Sequence, residues 1–247
     1  MIKISAVSYL NAIPFIYAIR ESDMLSNVDL NLDYPSVCAD KLISGQVDLA
    51  LVPVVVISSL KESYIISEYC IGANGPVDTV CLYSDVPINK IKNILLDYQS
   101  KTSVALLKIL LKEYWMISPE LKIANEGFEK EISGDQAALV IGDRAFNLNK
   151  RYQYIYDLSA IWTEMTGLPF VFAAWIANTK LPKDFITVFN KELAKGLSNI
   201  DKALMQYSNN DYPYCDDPKD YLNNKISYSL DSRKLEGMRL FLKKIII

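Results

Sequence analysis

The sequence predicts an α/β fold built from two lobes, each a mostly parallel sheet flanked by helices. Segments rich in β-branched residues alternate with helical segments near the start of the chain, which is the pattern of βαβ units. The same alternation begins again after residue 90. The helix-to-strand joints are also alike, with Ser44-Gly-Gln-Val-Asp-Leu-Ala-Leu-Val in the first region and Ser133-Gly-Asp-Gln-Ala-Ala-Leu-Val in the second. We therefore expect two lobes of similar construction.

In the first region, strands are predicted at residues 2–7, 29–34 and 48–55. Helices are predicted to begin near Asn11 and Ser36. Gly45 is expected to end the second helix in the left-handed conformation, and the apolar stretch after it is typical of a buried strand.

In the second region, strands are predicted at 92–98, 119–125 and 137–141, with a helix at 103–114. Another helix is expected to open at Gly142-Asp143-Arg144. The plan of the first region is thus repeated.

Two apolar segments, 78–83 and 170–176, flank the second region, and we expect them to pair as crossover strands between the lobes. Amphipathic helical patterns at 185–207 and 232–245 are expected to return to the first lobe. The predicted architecture is a two-lobed clamshell like the type II periplasmic solute-binding proteins, with the active site in the cleft. The first lobe is expected to comprise residues 1–83 and 175–247, and the inserted second lobe residues 84–174.

Composition excludes several classes of partner. The formal net charge is −3 over 247 residues, whereas a nucleic-acid surface needs clustered Lys and Arg. The most apolar stretch, residues 49–57, is interrupted by Pro53 and is far shorter than the roughly 20 residues of a membrane helix. The first residues alternate like a strand and lack the apolar core of a secretory signal. We therefore expect a cytoplasmic protein that binds neither nucleic acid nor membrane.

Cysteine and histidine usage argues against metal chemistry. The four cysteines, at positions 38, 70, 81 and 215, form no Cys-x-x-Cys pair, so buried free thiols are expected. The chain contains no histidine, the commonest general base and metal ligand. We expect no metal and no cofactor.

Three strand-to-helix joints carry candidate site residues, because ligands of α/β lobes sit beyond strand ends near helix N-termini. They are Ser8-Tyr9-Leu10-Asn11, Ser100-Lys101-Thr102-Ser103 and Gly142-Asp143-Arg144. Hydroxyls and free N–H groups at a helix start can bind an anion, and an Arg beside a cleft can bind a carboxylate. The same residue types also cap helices or carry surface charge without any ligand, so both interpretations stay open. The residues alone indicate a two-lobed binder of a small anion.

Several motifs in the same order resemble the chorismate dehydratase family of the futalosine route to menaquinone. They are Ser8-Tyr-Leu-Asn-Ala-Ile-Pro, Gly75-Pro-Val-Asp-Thr-Val, Ser100-Lys-Thr-Ser-Val, Ile141-Gly-Asp and Trp162-x-x-x-Thr-Gly-Leu-Pro-Phe-Val-Phe-Ala. The last is the most specific, and together they span most of the chain. The family has the solute-binding clamshell fold, which agrees with the architecture predicted above.

The resemblance implies roles for individual residues. The family's catalytic Asn falls on Asn11 and a family serine falls on Thr79, which keeps a hydroxyl but adds a methyl group. Lys101 stands where the family often has Arg, so positive charge is kept while bidentate geometry is lost. The substrate-binding residues expected from the motifs and joints are Ser8, Tyr9, Ser36, Ser100, Lys101, Thr102, Ser103, Asp143, Arg144, Thr166 and Gly167.

The implied activity is that of a hydro-lyase, which removes water from chorismate to give 3-[(1-carboxyvinyl)oxy]benzoate. Asn11 and Thr79 are expected to orient the substrate's side-chain carboxylate and its departing hydroxyl. Because the chain has no histidine and a dianionic ligand repels Asp and Glu, the substrate's own enolpyruvyl carboxylate is a candidate base, as the resemblance also implies.

Two alternatives remain. The 1,4-dihydroxy-6-naphthoate synthase of the same pathway shares the fold, and a non-catalytic small-anion receptor is compatible with the clamshell. The sequence does not predict the oligomeric state.

Overall fold

The computed structural model describes residues 1–206 and 215–245, which form two mixed sheets with helices packed around them. The strands are β1 (Ile2–Val7), β2 (Val28–Asp33), β3 (Leu49–Pro53), β4 (Tyr64–Ala73), β5 (Val80–Ser84), β6 (Asn93–Leu96), β7 (Glu120–Ile123), β8 (Gln136–Ile141), β9 (Tyr154–Asp157), β10 (Phe170–Ala177) and β11 (Ser227–Ser229). The helices are α1 (Ile13–Arg20), α2 (Pro35–Ile43), α3 (Lys101–Glu113), α4 (Leu158–Thr166), α5 (Lys183–Leu197), α6 (Ile200–Gln206), α7 (Pro218–Asp220) and α8 (Ser232–Ile245).

The first sheet has the strand order β11-β4-β10-β3-β1-β2. Its β1 pairs in parallel with β2 and β3, as the βαβ pattern predicts, while β10 runs antiparallel to both β3 and β4. Pro35 starts α2, and Gly45 follows its end with φ +72°. The predicted left-handed position of Gly45 is therefore confirmed, and it turns the chain into the fully buried β3.

The second sheet has the order β7-β6-β8-β5-β9. Here β6 is parallel to β7 and β8, whereas β5 is antiparallel to β8 and β9. The α/β fold class with two lobes is thus confirmed, and most strands of each sheet run in one direction. The antiparallel pairs come from β10 and β11 in the first sheet and from β5 in the second, which run against the other strands.

The two segments expected to pair as crossover strands lie in different sheets. Segment 78–83 becomes β5 of the second sheet, and segment 170–176 becomes β10 of the first. Each finds its partners within its own sheet, so the predicted pairing between them is wrong. The chain passes between the sheets at residues 74–79 and again through α4.

The C-terminal helices pack back on the first sheet. The run predicted at 185–207 is two helices, α5 and α6, and Tyr207 lies outside the described residues. Gly196 of α5 permits close packing on α1, because a Cβ there would lie 2.1 Å from the Pro14 carbonyl oxygen. The helix predicted at 232–245 is α8, and Gly237 on it faces the Pro169 carbonyl in the same way.

Large aromatic side chains fill the core beside α8. Trp162 and Phe241 meet the Phe170 ring edge-on at centroid distances of 5.4 and 4.9 Å. Trp175 packs on Phe189 in the same geometry at 5.0 Å. These rings contribute burial and edge-to-face packing. No helix in residues 1–206 and 215–245 combines the length and the hydropathy needed to cross a bilayer.

Candidate active site

A cavity lies between the two sheets, where several strands end. It encloses about 520 Å³ of empty space, counting the part that is open to solvent. Its apolar wall comes from Val7, Pro53, Ile71 and Phe172 of the first sheet and from Ile141 of the second. Its polar side chains are those of Tyr9, Asn11, Thr79, Ser100 and Ser103.

Asn11 lies on a short helical turn, Leu10–Ala12, directly after β1. Its side chain caps neither this turn nor α1. The Oδ1 atom is buried and has no hydrogen-bond partner among the described residues. The backbone carbonyl accepts a hydrogen bond of 3.0 Å from the Tyr228 hydroxyl. A buried acceptor without a partner is unfavourable and suits a group that waits for a ligand.

Thr79 precedes β5 of the second sheet and is almost fully buried. Its Oγ1 lies 2.8 Å from the Tyr221 hydroxyl, and its carbonyl accepts the Gly142 N–H at 2.9 Å. Asn11 and Thr79, which are 68 positions apart in the sequence, both line the cavity. The structure therefore brings together the two residues expected to be catalytic.

The start of α3 supplies two further hydroxyls. Ser100 is its N-cap: its Oγ accepts the Ser103 N–H at 3.1 Å and donates to the Ser103 Oγ at 2.9 Å. Both serines line the cavity, so capping and cavity lining occur together. Thr102 lies outside the cavity lining, and its Oγ1 accepts the Val55 N–H at 3.3 Å.

Two helix N-termini border the cavity. Pro35, the first residue of α2, and Ser100 at the start of α3 both line it, and Ser36 follows Pro35 without lining it. The free N–H groups and dipoles of such helix starts favour an anion. None of the described lining residues carries a formal charge.

The two cationic candidates bind other partners. Lys101 is exposed and forms an ion pair with Asp40 at 3.4 Å. Arg144 forms ion pairs with Asp97 at 2.6 Å and Glu129 at 2.7 Å, and its guanidinium lies 5.5 Å from the centre of the Tyr98 ring. The pKa of Asp97 is raised because burial outweighs the effect of Arg144. Neither cation lines the cavity.

Two hydrogen bonds close the cleft beside the cavity. The Asp143 carboxylate accepts the Leu10 N–H at 3.1 and 3.3 Å, and the Tyr9 hydroxyl donates to the side-chain oxygen of Gln99. Burial raises the pKa of Asp143 to about 7. The pKa of Tyr9 is raised, mainly by burial and then by the negative charge of Asp97.

Gly142 lies close to Tyr9 across the cleft. It has a φ of +69°, and a Cβ on it would lie 2.9 Å from the Tyr9 ring. Only glycine fits this position without displacing the ring.

The remaining candidates shape the surroundings of the cavity and do not line it. The Ser8 N–H donates to the Asp33 carbonyl at 3.0 Å. The Thr166 hydroxyl donates to the Trp162 carbonyl at 2.8 Å, and Gly167 ends α4 with φ +71°. Thr166 and Gly167 thus end a helix, which also explains their place in a specific motif.

Sequence reasoning missed Tyr221 and Tyr228, whose hydroxyls contact Thr79 and Asn11. They lie 142 and 217 positions from those partners, in a stretch without a helical or strand period, so no local signal indicates them. Phe172 of β10 also lines the cavity, although the sequence marks it only as part of an apolar segment.

A second, more open hollow lies at the surface between α3 and the end of α8. Its empty space, again counting the part that is open to solvent, is about 1540 Å³. It is bordered by Lys101, Lys108, Lys112 and Lys244. Neither Asn11 nor Thr79 borders it. In the part of the chain that the structure describes, no three Cys, Asp or Glu side chains converge as metal ligands would.

Comparison with known proteins gives the family. A protein-family model described as menaquinone biosynthesis matches residues 2–245. A chorismate dehydratase of Thermus thermophilus is 30% identical over 179 residues, which cover 64% of this chain and 65% of that protein, just under two thirds of its length. A chorismate dehydratase of Campylobacter jejuni is 25% identical over 244 residues, which cover 96% of this chain and 94% of that one.

Solved structures agree on the fold. An Archaeoglobus fulgidus protein matches with a TM-score of 0.73 at 13% identity, over 99% of this chain and 95% of its own. A Candida albicans protein, described as having the generic periplasmic binding protein fold, matches with a TM-score of 0.63 at 9% identity, over 99% and 90%. These likenesses confirm the clamshell fold, and because the family model spans almost every residue, this chain belongs to the menaquinone biosynthesis family.

Proposed function

We infer that this chain is a chorismate dehydratase, a hydro-lyase that converts chorismate to 3-[(1-carboxyvinyl)oxy]benzoate and water. The observation that carries the proposal is the Oδ1 of Asn11, which has no partner among the described residues and lies in the same uncharged cavity as the Thr79 hydroxyl. Two relatives named chorismate dehydratase support it.

The chemistry requires little of the protein. Chorismate loses the C3 proton and the C4 hydroxyl, and the ring becomes aromatic, which supplies the driving force. The ring carboxylate makes the C3 proton more acidic through the diene. Donors that hold this carboxylate stabilise the carbanion that forms when the proton leaves. The N-terminus of α3, with Ser100 and Ser103, is suited to that role.

The base is the substrate's own enolpyruvyl carboxylate. The described residues that line the cavity include no Asp, Glu, Lys or Cys side chain that could take the proton. A carboxylate removed from water in a closed cleft has a higher proton affinity than in solution. The proton moves from C3 to this carboxylate, and from there it joins the departing hydroxide to give water.

Closure of the lobes excludes water from this reaction. The bonds from Leu10 to Asp143 and from Tyr9 to Gln99 join the two sides of the cleft next to Asn11. The expected lobe boundaries, 1–83 and 175–247 against 84–174, move by a few residues, because β5 belongs to the second sheet and β10 to the first. We therefore place the boundaries at residues 74–79 and near α4, and the active site between the two lobes. Opening of these contacts admits the substrate.

The decisive experiment is incubation of the purified protein with chorismate without added metal or cofactor. We expect ultraviolet absorbance to show the enolpyruvyl benzoate, and mass spectrometry to show the loss of one water. Binding of chorismate without product would indicate a small-anion receptor. Turnover of cyclic de-hypoxanthine futalosine instead would indicate the 1,4-dihydroxy-6-naphthoate synthase. Cell fractionation tests the cytoplasmic location that this biosynthetic role requires.

A further inference from the structure

Tyr221 connects the two lobes at the cavity and has no role in the proposed function so far. It begins a π-helical segment, Tyr221–Lys225, directly after α7, and such segments often occur at functional sites. Its side chain is buried, and the Phe146 ring packs edge-on against it at a centroid distance of 4.9 Å. The ring is therefore fixed, and its hydroxyl meets Thr79 Oγ1 at 2.8 Å.

The Tyr221 hydroxyl has two polar neighbours, Thr79 and Asn11. Burial raises the pKa of Tyr221, and hydrogen bonds from the side chains of Thr79 and Asn11 oppose this rise. The bond to Thr79, at 2.8 Å, is the one that fixes the position of the hydroxyl.

Either hydroxyl can donate in the bond between Tyr221 and Thr79, and the two directions leave different protons free. The phenol has one proton, and Thr79 Oγ1 is its nearest acceptor. If Tyr221 donates to Thr79, the threonine proton is free. The only other acceptor recorded for that proton within the described residues is the Val77 carbonyl, at the outer limit of 3.5 Å. The threonine proton can therefore point into the cavity.

We propose that Tyr221 is a positioning residue that donates its phenol proton to Thr79 and so leaves the Thr79 proton directed into the cavity. This direction presents two complementary groups to the substrate. The Thr79 hydroxyl is a fixed donor, and Asn11 Oδ1 is a fixed acceptor. This inference rests on the proposed dehydratase function.

A donor beside an acceptor suits a hydroxyl group that leaves the substrate, because such a group both donates and accepts hydrogen bonds. Asn11 Oδ1 accepts the proton of the C4 hydroxyl in the ground state, and Thr79 donates to the oxygen as the C–O bond breaks. No proton leaves Thr79, because the C3 proton passes through the substrate's carboxylate to the hydroxide. Tyr221 therefore acts on the rate of the bond-breaking step and contributes little to substrate binding.

The test is a double-mutant cycle in the purified full chain with chorismate as substrate. We expect Y221F to lower kcat about 10- to 100-fold with KM changed less than about threefold, since it releases the Thr79 hydroxyl from the orientation in which it donates to the departing oxygen. T79V is expected to lower kcat to a similar level. The double variant Y221F/T79V should be no slower than T79V, because Tyr221 acts only through Thr79.

The matched control is Y83F, which removes another buried tyrosine hydroxyl, one that donates to the Ala145 carbonyl and Asn149 away from the cavity. Thermal unfolding of both Tyr→Phe variants measures the stability loss that the two deletions share. We expect Y83F to keep the wild-type kcat, and T79S to keep kcat within a fewfold because it retains the hydroxyl.

Three outcomes overturn the inference. The first is a folded Y221F variant that keeps the kcat of the wild type. If the losses of kcat in Y221F and T79V multiply in the double variant, Tyr221 acts independently of Thr79, and the inference is wrong. If T79S is as slow as T79V, the threonine hydroxyl is not the group that matters, and this result does not depend on Y221F. A wild-type protein that does not convert chorismate overturns the proposed function first, and the inference with it.

Discussion

The cavity around Asn11 and the cluster around Arg144 border the same cleft but are built on opposite principles. In the cavity, the polar groups are uncharged, and Asn11 Oδ1 lacks a partner among the described residues. In the cluster, the guanidinium of Arg144 is satisfied by Asp97 and Glu129. A satisfied cluster holds a lobe together, whereas unsatisfied polar groups are free to bind. The partners of a polar residue therefore indicate its role better than its charge does.

The strongest test of this comparison is Asn11→Ala. We expect kcat to fall about 100- to 1000-fold, which is the range for loss of a group that contacts the reacting atoms. The free energy of unfolding should change by less than about 1 kcal/mol, because no partner of Oδ1 is lost. Steady-state kinetics and denaturant unfolding measure the two effects. A large stability loss with near-normal kcat would make Asn11 structural.

Arg144→Met should show the reverse pattern. We expect the free energy of unfolding to fall by about 2–3 kcal/mol, since Asp97 is fully buried and would lose its partner, while the partial exposure of Arg144 weakens the pair somewhat. The value of kcat should fall less than about fivefold. Glu129→Gln leaves the buried pair with Asp97 intact and is the control. Loss of chorismate binding in folded Arg144→Met would instead place the arginine at the substrate.

The contact of Asp143 with Leu10 predicts a pH dependence. Burial raises the pKa of Asp143 to about 7, well above its ordinary value near 4. The folded chain therefore binds more protons than the unfolded chain between about pH 4 and pH 7, and stability falls as pH rises through this window.

Asp143→Asn keeps an acceptor for the Leu10 N–H and removes the charge. We expect the variant to gain stability relative to the wild type by about 2 kcal/mol more at pH 8 than at pH 5, measured by urea unfolding. Burial also raises the pKa of Asp97 and Asp157. The free energy of unfolding of the variant therefore depends less on pH than that of the wild type, but the dependence does not disappear. An equal difference at both pH values would contradict the assignment.

The smallest effect is expected for Lys101→Met. Its ion pair with Asp40 is exposed, and such pairs contribute less than about 1 kcal/mol. We expect kcat and KM for chorismate to change less than about twofold, because Lys101 does not line the cavity. A tenfold rise in KM would show that the lysine turns toward the substrate when the cleft closes on it.

Local sequence patterns were sufficient to predict the elements whose ends are marked by neighbouring residues in the chain. The serine cap of α3 and the glycine after the end of α2 depend on near neighbours in the chain, so the sequence predicts them. The same holds for the position of Asn11 beyond β1. These features place one wall of the cavity correctly.

Contacts that join distant parts of the chain were not predictable in this way. The long strand β4 has an irregular burial pattern and register shifts against β10, so it shows no clean alternation. The run at 185–207 reads as one helix because both halves are amphipathic, although it breaks between Leu197 and Ile200. Whether Arg144 binds a ligand or Asp97 depends on folding that brings residues 47 positions apart together.

The close approach of Gly142 to Tyr9 has a consequence for what the cleft can hold. Since a Cβ at position 142 would press into the Tyr9 ring, the glycine lets the two lobes approach each other closely at this point. A larger residue would hold Tyr9 away from the second lobe and widen the cleft beside the cavity. A position with no reactive group of its own therefore influences how closely the clamshell can shut on a ligand.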